Sequence, residues 1–285
     1  MSYVEVDMDQ SSQKHDSVSS IIMFVFYIFF VERGITSIPL KKILRLIQPF
    51  NKNETAVRMG LSRAVQNGNL KNIRMGAEVN YELTDSGVQM MEERRRIVDS
   101  FYEDVDAQVS GWSGFWSTVM INDATFNNSD LLALVSDILV GNKFGMVSKN
   151  LWICPYSGFS AFAKVMSTDK SQSGVMVFES RPLLNNKALA NTVWRTEDLG
   201  AKYAEFLAEM VAEAQGLKGK PVDDSLPFLH RFENHLIEII KDDPQLPLET
   251  LPDDWQGIEA ARAFKEIRED LLPSVREHID QILAE

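Results

Sequence analysis

A helical pattern of apolar residues runs from Asn53 to Asn67 and is followed by two short alternating segments. Glycine within that pattern allows a second helix to cross closely. Residues 70–83 alternate in polarity about Gly76-Ala77, as a β-hairpin does. A helix followed by a two-stranded wing predicts a winged helix-turn-helix, in which this helix enters the DNA major groove. The residues predicted on its apolar face are Ala56, Val57, Met59, Gly60, Leu61, Ala64 and Val65.

Charge along the chain supports a nucleic-acid partner for this segment. The net charge is −12. Residues 36–83 nevertheless hold eight basic and three acidic residues, a local charge of +5 that leaves −17 elsewhere. Distant charges are screened beyond about 8 Å at physiological salt, so the local field decides binding. A solvated charged surface is the alternative. The candidate DNA-binding residues are Lys52, Asn53, Thr55, Arg58, Ser62, Arg63, Lys71 and Arg74.

The segments before the recognition helix predict a leader and two helices. Residues 1–16 are polar and acidic without periodicity, which predicts disorder. The apolar run 21–31 spans 11 residues, whereas a membrane span needs about 20. We therefore expect a buried helix over 17–32, closed by Gly34, and no membrane association. A second helix is expected over 41–48.

The middle of the chain predicts a small mixed domain. Asp85 opens a long helix whose run Arg94-Arg95-Arg96 suits either phosphate contact or a solvated face. Strands at 115–121, 145–147, 151–153 and 175–179, with a helix at 129–140, predict a ferredoxin-like α+β sandwich. The polar segment 167–174 predicts a mobile loop.

The last third of the chain is predicted to be helical. Leu199, Tyr203, Phe206, Leu207 and Met210 form a one-face stripe. A linker is expected over 217–225. Further helices are expected over 228–240, 258–271 and 275–283.

The sequence contains no motif that indicates an enzyme. Nucleophile-elbow, Walker, dinucleotide-binding and paired CxxC patterns are missing from the sequence. The single cysteine, Cys154, suits a reducing cytoplasm and is predicted to be an inert core thiol. His230 and His235 are five residues apart, so they would not share a helix face as metal ligands do. We expect no catalytic residue, metal or cofactor.

Three groups of residues resemble the PaaX family of bacterial repressors over about residues 17–283. The first is Ala56-Val57-Arg58, Leu61-Ser62-Arg63 and Gly68-Asn69-Leu70 with Tyr81-Glu82-Leu83-Thr84 and Gly87. The second is Trp112-Ser113-Gly114-Phe115-Trp116 with Gly145 and Leu151-Trp152. The third, and the most specific, is Asp243-Pro244-Gln245-Leu246-Pro247, Leu251-Pro252, Asp254-Trp255-Gln256-Gly257 and Ala260-Ala261.

The resemblance implies a homodimeric cytoplasmic repressor with three domains. These would be an N-terminal winged helix, a middle ferredoxin-like domain and a helical C-terminal domain. The expected boundaries are a leader at 1–16, the winged helix at 17–84, a linker helix at 85–111, the middle domain at 112–185 and the helical domain at 186–285.

The resemblance also implies that operator DNA is released by an aryl- or acyl-CoA thioester, in the founding case phenylacetyl-CoA. Phosphates of such an effector would suit guanidinium groups, so Trp194, Arg195, His230 and Arg231 are candidate effector-binding residues. A protein-interaction module and an acyl-CoA-binding enzyme or nuclease remain as alternatives.

Overall fold

A computed structural model describes most of the chain as two compact units. The described residues are 17–76, 78–108, 111–122, 129–156, 162, 174–183, 185–217 and 219–284. The predicted leader at 1–16, Ala77 at the predicted hairpin turn and residues 167–173 of the predicted loop lie outside them. The first unit comprises residues 1–102, 204–241 and 259–285, and the second comprises 103–203 and 242–258.

Helices and two antiparallel sheets make up the described chain. The helices are α1 Val18–Arg33, α2 Leu40–Ile47, α3 Glu54–Gln66, α4 Asp85–Gln108, α5 Ser129–Gly141, α6 Asn186–Trp194, α7 Thr196–Gln215, α8 Val222–Asp242 and α9 Gly257–Ala284. The strands are β1 Ser37–Pro39, β2 Leu70–Met75, β3 Glu78–Leu83, β4 Trp116–Ile121, β5 Gly145–Ser148, β6 Leu151–Cys154 and β7 Val175–Ser180. The predicted α+β fold class is confirmed.

In the first unit, α1 is a buried helix beside a three-stranded sheet. Ser17 caps α1 through its hydroxyl, and Gly34 ends it in the left-handed conformation with φ of 64°. Every residue of α1 from Phe24 to Phe29 is buried, which explains the unbroken apolar run. The sheet has the order β1-β3-β2, so β1 adds an antiparallel edge strand to the predicted hairpin. Within the described residues, no helix is long and apolar enough to cross a bilayer.

The C-terminal helices of the first unit differ from the prediction at two prolines. We expected a break between 271 and 275, but α9 continues through Pro273. Likewise, α8 begins at Val222 and includes Pro227, although the prediction started the helix at 228. A proline removes one backbone hydrogen bond, whereas the buried face of each helix continues on both sides of it. Packing of that face therefore outweighs the local cost.

In the second unit, β4 lies at the centre of an antiparallel sheet with the order β5-β6-β4-β7. Side chains from α5 and the sheet share one core, which includes Val119, Val135, Leu139 and Phe162. The hairpin β5–β6 turns at Lys149-Asn150, as expected. A break at Arg195, with φ of 54°, separates α6 from α7.

The Pro-rich segment 243–257 packs within the second unit as a rigid connector. The Asp243 carboxylate accepts hydrogen bonds from the Tyr203 hydroxyl at 2.7 Å and from the Gln245 backbone N–H at 2.6 Å. Trp255 is buried, and its ring meets the Tyr203 ring edge-on at 5.3 Å. Burial, followed by the charge of Asp243, raises the pKa of Tyr203 well above its ordinary value.

Candidate nucleic-acid interface

Helix α3 begins at a side-chain cap that fixes its first turn. The Asn53 side-chain oxygen accepts a hydrogen bond from the Ala56 backbone N–H at 2.8 Å. This bond satisfies one of the N–H groups that a helix start leaves without a partner. Asn51, in the left-handed conformation with φ of 54°, turns the chain between α2 and α3. Asn53 thus has a structural task besides its candidate contact with DNA.

The inner face of α3 packs against α1 through a glycine. Val57, Leu61 and Ala64 are buried. A Cβ atom added at Gly60 would approach the Ile22 Cδ1 atom to 2.8 Å and the Val18 Cγ1 atom to 2.9 Å. Only glycine therefore lets these two helices come this close. The predicted crossing point at Gly60 is confirmed.

The outer face of α3 is exposed and mostly polar. Thr55, Arg58, Ser62 and Arg63 are all exposed, as predicted. The prediction for Met59 was wrong, because this side chain is 53% exposed and belongs to the outer face. Its position two residues after buried Val57 turns it about 200° around the helix. The exposed face of α3 consists of Glu54, Thr55, Arg58, Met59, Ser62, Arg63 and Gln66.

Met59 was misplaced by residue type rather than by spacing, and Glu54 and Gln66 were not among the residues predicted for this face. Thr55, Met59, Ser62 and Gln66 follow the i, i+4, i+7, i+11 pattern of one helix stripe. Methionine was assigned to the core because it is apolar. Its position in the helical repeat alone would have placed Met59 on the exposed face of α3.

The cations around α3 differ in whether they already have an anionic partner. Arg58 pairs with Glu54 at 2.6 Å along the helix. Lys71 pairs across the hairpin with Glu82 at 2.9 Å, and this hydrogen bond raises the pKa of Lys71. Within the described residues, Arg63, Arg74 and Lys52 form no ion pair. Arg63 and Arg74 are exposed and Lys52 is half-buried, so among the candidate DNA-binding residues these three cations have no competing carboxylate in the described structure.

Thr84 and Gly87 join the end of α3, the hairpin and the start of α4. The Thr84 hydroxyl donates to the Gly68 carbonyl at 2.5 Å and accepts from the Gly87 backbone N–H at 3.0 Å. A Cβ atom at Gly87 would collide with the Asn69 carbonyl oxygen. Glycine is therefore required where α4 meets the turn that follows α3.

Two of the predicted effector-binding residues, Trp194 and Arg195, lie in the second unit. The Trp194 ring stacks on the Trp116 ring with centroids 5.8 Å apart and also lies against Gly145. Arg195 is exposed at the helix break and pairs with Asp198 at 2.5 Å. Both side chains thus take part in local packing or pairing.

The other two predicted effector-binding residues, His230 and Arg231, lie in the first unit. His230 is 1% exposed, lies 3.1 Å from the Ser20 hydroxyl and meets the Phe24 and Phe50 rings edge-on. Arg231 pairs with Glu213. Trp194 and Arg195 thus belong to the second unit, and His230 and Arg231 belong to the first.

The Arg94-Arg95-Arg96 run divides between a buried and an exposed role. Arg94 donates to Glu233 at 3.2 Å and to the Asn234 side-chain oxygen at 2.9 Å. Arg268 donates to the same carboxylate at 3.0 Å. Arg95 and Arg96 are exposed and pair along α4 with Asp99 and Glu93.

The described residues offer no metal-binding cluster of His, Cys, Asp or Glu. Cys154 is a buried thiol in the core of the second unit, and burial raises its pKa. A thiol with a raised pKa is a poor nucleophile. These observations agree with the predicted inert role of Cys154.

The capped helix α3 and the hairpin that follows it carry the exposed cations Arg63 and Arg74. Comparison with known proteins is more specific. Residues 17–87 match the family model of the PaaX-like protein, and residues 194–281 match that of the PaaX-like protein C-terminal domain. The chain belongs to the PaaX family of transcriptional regulators. The predicted family is confirmed.

One relative and one solved structure illustrate the similarity. The transcriptional repressor PaaX of Escherichia coli (strain K12) is 25% identical over 246 residues, which cover 82% of this chain and 74% of that protein. The uncharacterized protein Rv0674 from Mycobacterium tuberculosis aligns with a TM-score of 0.55 at 18% identity, covering 88% of this chain and 95% of the other. The latter similarity concerns the fold.

Proposed function

We propose that the protein is a DNA-binding transcriptional repressor in which α3 is the recognition helix. The observation that carries this proposal is the exposed face of α3, where Arg63 has no ion-pair partner within the described residues. A helix of this diameter fits the major groove, and an arginine there can bind guanine through two hydrogen bonds. The apolar Met59 at the centre of the face suits contact with a thymine methyl group.

The order of elements in residues 18–83 supports a winged helix-turn-helix. Helix, strand, two helices and two strands follow one another, with the first strand at the edge of the sheet. In such a domain the second helix of the turn lies in the major groove, and the hairpin contacts the backbone beside it. Lys71, Arg74 and Lys52 would then contact phosphates, with Thr55 and Ser62 in support.

The second unit supports a ferredoxin-like interpretation. Its strand order, β5-β6-β4-β7, is the order of a split β-α-β sandwich. Residues 157–161 and 163–173, between β6 and β7, lie outside the described residues. We assign no catalytic role to this unit, since fold alone does not imply one.

The regulated system is proposed from the relative. The similarity to the repressor PaaX supports control of a catabolic operon, with phenylacetate as the first candidate substrate and an aryl- or acyl-CoA thioester as the releasing effector. A homodimer on a two-fold operator, acting in the cytoplasm, completes the proposal, because paired recognition helices read half-sites one helical turn apart.

Fluorescence anisotropy with duplexes from the region upstream of the protein's own gene and its neighbours tests the proposal. We expect Arg63→Ala to weaken binding by about 1–3 kcal/mol if Arg63 contacts a base. The matched control is Arg262→Ala, which removes an exposed arginine of α9. If both variants and the parent chain bind every duplex with equal affinity, α3 is not the recognition helix.

A protein-interaction module is the second candidate, supported by the exposed Met59 and by the existing pairs of Arg58 and Lys71. Salt distinguishes the two functions. DNA binding falls steeply with salt because bound counterions are released. Binding of a protein partner through an apolar contact would change little over the same range.

A further inference from the structure

A cavity of about 480 Å³ lies in the first unit between α1, α4 and α8. Its wall is mostly apolar. The apolar lining includes Met23 and Phe24 of α1, Met90 and Met91 of α4, and Ile237 of α8. This volume is in the range of sites for small organic molecules. Methionine side chains adapt to ligands of different shape, so the lining suits an aryl or acyl group.

Two buried hydrogen-bond donors belong to side chains that line this cavity. Asn234 is 7% exposed, and its Oδ1 atom accepts from the Arg94 Nη1 atom at 2.9 Å. A guanidinium group only donates, so this contact fixes the orientation of the amide. The Asn234 Nδ2 and Arg94 Nε atoms are left buried without a hydrogen-bond partner among the described residues. Buried polar groups are normally satisfied, so both donors call for an acceptor oxygen.

Charge near these donors also favours an oxygen ligand. Arg94 and Arg268 share the carboxylate of Glu233, which is 1% exposed. Lys241 adds a further lining cation. The lining acid Glu93 is already paired with Arg96 at 2.5 Å. A partly or fully negative oxygen would be attracted to the lining cations Arg94 and Lys241.

We propose that this cavity binds a small molecule in which an aryl or acyl group is joined to a carbonyl or carboxylate oxygen. The apolar group would lie among Met23, Met90 and Met91, and the oxygen would accept hydrogen bonds from Asn234 and Arg94. A free carboxylic acid and its CoA thioester share this chemistry. The proposal deepens the proposed function, on which its regulatory meaning rests, by giving the effector a site.

Helix α4 connects the cavity to the DNA-facing elements. Its first turn is fixed to the turn after α3 through Thr84 and Gly87. Arg94 lies seven residues further along, which is about 10 Å at the rise of an α-helix. A ligand oxygen that attracts Arg94 would weaken the ion pair between Arg94 of α4 and Glu233 of α8. Since α4 begins directly after β3, a shift of α4 would reach the hairpin and α3.

Methionine methyl groups provide a direct readout of occupancy. The full chain, labelled with ¹³C at the methionine methyl groups, is titrated with phenylacetate, phenylacetyl-CoA and free CoA, and signals are assigned by Met→Leu substitution. We expect the Met23, Met90 and Met91 signals to shift most. Met146 and Met176, both exposed on the sheet of the second unit, are the reference signals. A response to phenylacetate indicates the free acid, and a response to phenylacetyl-CoA alone indicates the thioester.

Two variants test the geometry by calorimetric titration with whichever probe binds. Asn234→Asp keeps the acceptor for Arg94 but replaces the Nδ2 donor with an oxygen, so we expect affinity to fall about tenfold or more, as loss of a buried hydrogen bond to a charged group does. Met90→Trp fills the cavity and should have a similar effect. Met176→Trp, an equal substitution at an exposed position of the second unit, should bind like the parent chain.

The outcomes separate this inference from the proposed function. Unchanged affinity in both Asn234→Asp and Met90→Trp overturns the site, and absence of binding by all probes overturns the ligand class, even if operator binding is intact. Methyl shifts and loss of affinity in both variants support the site even if no duplex binds. Melting curves of each variant verify that a loss of affinity does not come from unfolding.

Discussion

The arginines of α3 and those around Glu233 show how the same side chain serves two different purposes in the first unit. Arg58 and Arg63 are exposed, and only Arg58 has an ion-pair partner within the described chain. Arg94 and Arg268 are 21% exposed and share a carboxylate that is almost fully buried. Arg58 and Arg63 therefore face solvent, where a polyanion could reach them. Arg94 and Arg268 instead link α4, α8 and α9 through Glu233.

The comparison teaches that a cluster of basic residues in sequence does not identify a DNA contact. Three consecutive arginines at 94–96 form the densest basic run in the chain. Arg94 nevertheless pairs with Glu233, which is 139 positions away in sequence. Arg63 stands among neutral residues in the sequence, yet it is the cation of α3 that has no carboxylate partner in the described structure.

The largest expected effect comes from removing the shared carboxylate. Glu233→Gln removes the buried carboxylate that pairs with Arg94 and is one partner of Arg268, so we expect the free energy of unfolding to fall by about 3–5 kcal/mol. Urea unfolding followed by circular dichroism measures it. A loss below about 1 kcal/mol, the size typical of exposed pairs, would remove the distinction between the two groups of arginines.

The next largest loss of stability is expected at the contact between Gly87, at the start of α4, and the turn that follows α3. Gly87→Ala forces a Cβ atom against the Asn69 carbonyl, and a backbone atom cannot move aside as a flexible side chain can. We expect a loss of about 1–3 kcal/mol in the free energy of unfolding, as for overpacked sites. Gly141→Ala is the control, because open space surrounds that glycine at the end of α5. Equal stability of both variants would show that the joint is not tightly packed.

Alkaline pH tests how deeply the Arg94–Glu233 cluster is buried. Tyr27 lies beneath Arg94, with the guanidinium carbon 4.7 Å from the ring centroid. Burial, followed by the charge of Glu233, raises the pKa of Tyr27 from 10.0 to about 12. The folded state therefore holds this proton longer than the unfolded state does. The contribution of Tyr27 to the free energy of unfolding is therefore fully present below pH 10 and is lost as the pH rises from 10 towards 12.

The measurement is the free energy of unfolding of the parent chain and of Tyr27→Phe at pH 8 and pH 11. The two pKa values give a loss of about 1.4 kcal/mol for Tyr27 between these conditions. Between pH 8 and pH 11, the free energy of unfolding of Tyr27→Phe should therefore fall less than that of the parent chain, and the difference should equal this loss. Equal losses would mean that Tyr27 titrates as it does in the unfolded chain.

The smallest expected effect is on the exposed pair. Glu54→Gln removes the partner of Arg58, and because the pair is exposed we expect stability to change by less than about 1 kcal/mol. The variant should bind DNA more tightly, since it frees Arg58 and removes a negative charge next to the phosphates. Anisotropy titration checks this. Weaker binding would mean that Glu54 holds Arg58 in the conformation that contacts DNA.

Much of the described fold follows from local sequence patterns. The start of α3 at Asn53, the crossing at Gly60 and the hairpin after Asn69 were predicted because caps, helical periods and alternation are local signals. Met59 and Pro273 were mispredicted because residue type was given more weight than helical phase or the continuity of a buried face.

The sequence could not reveal the partners of Arg94 or the cavity beside it. Glu233 and Asn234 are distant in sequence, and nothing near Arg94 indicates which carboxylate it meets. The candidate effector residues were chosen for their chemistry, and the structure gives His230 a buried place beside Ser20 and two phenylalanine rings. Contacts between distant segments require the fold itself.

The dependence of DNA affinity on salt tests the central claim most directly. If Lys52 and Arg74 each neutralise a phosphate, as proposed, the slope of log K against log salt concentration should fall by about 1 for each alanine substitution. The Arg262→Ala control should keep the slope of the parent chain. Unchanged slopes for Lys52→Ala and Arg74→Ala would contradict the assignment of the start of α3 and the hairpin as the DNA-binding surface.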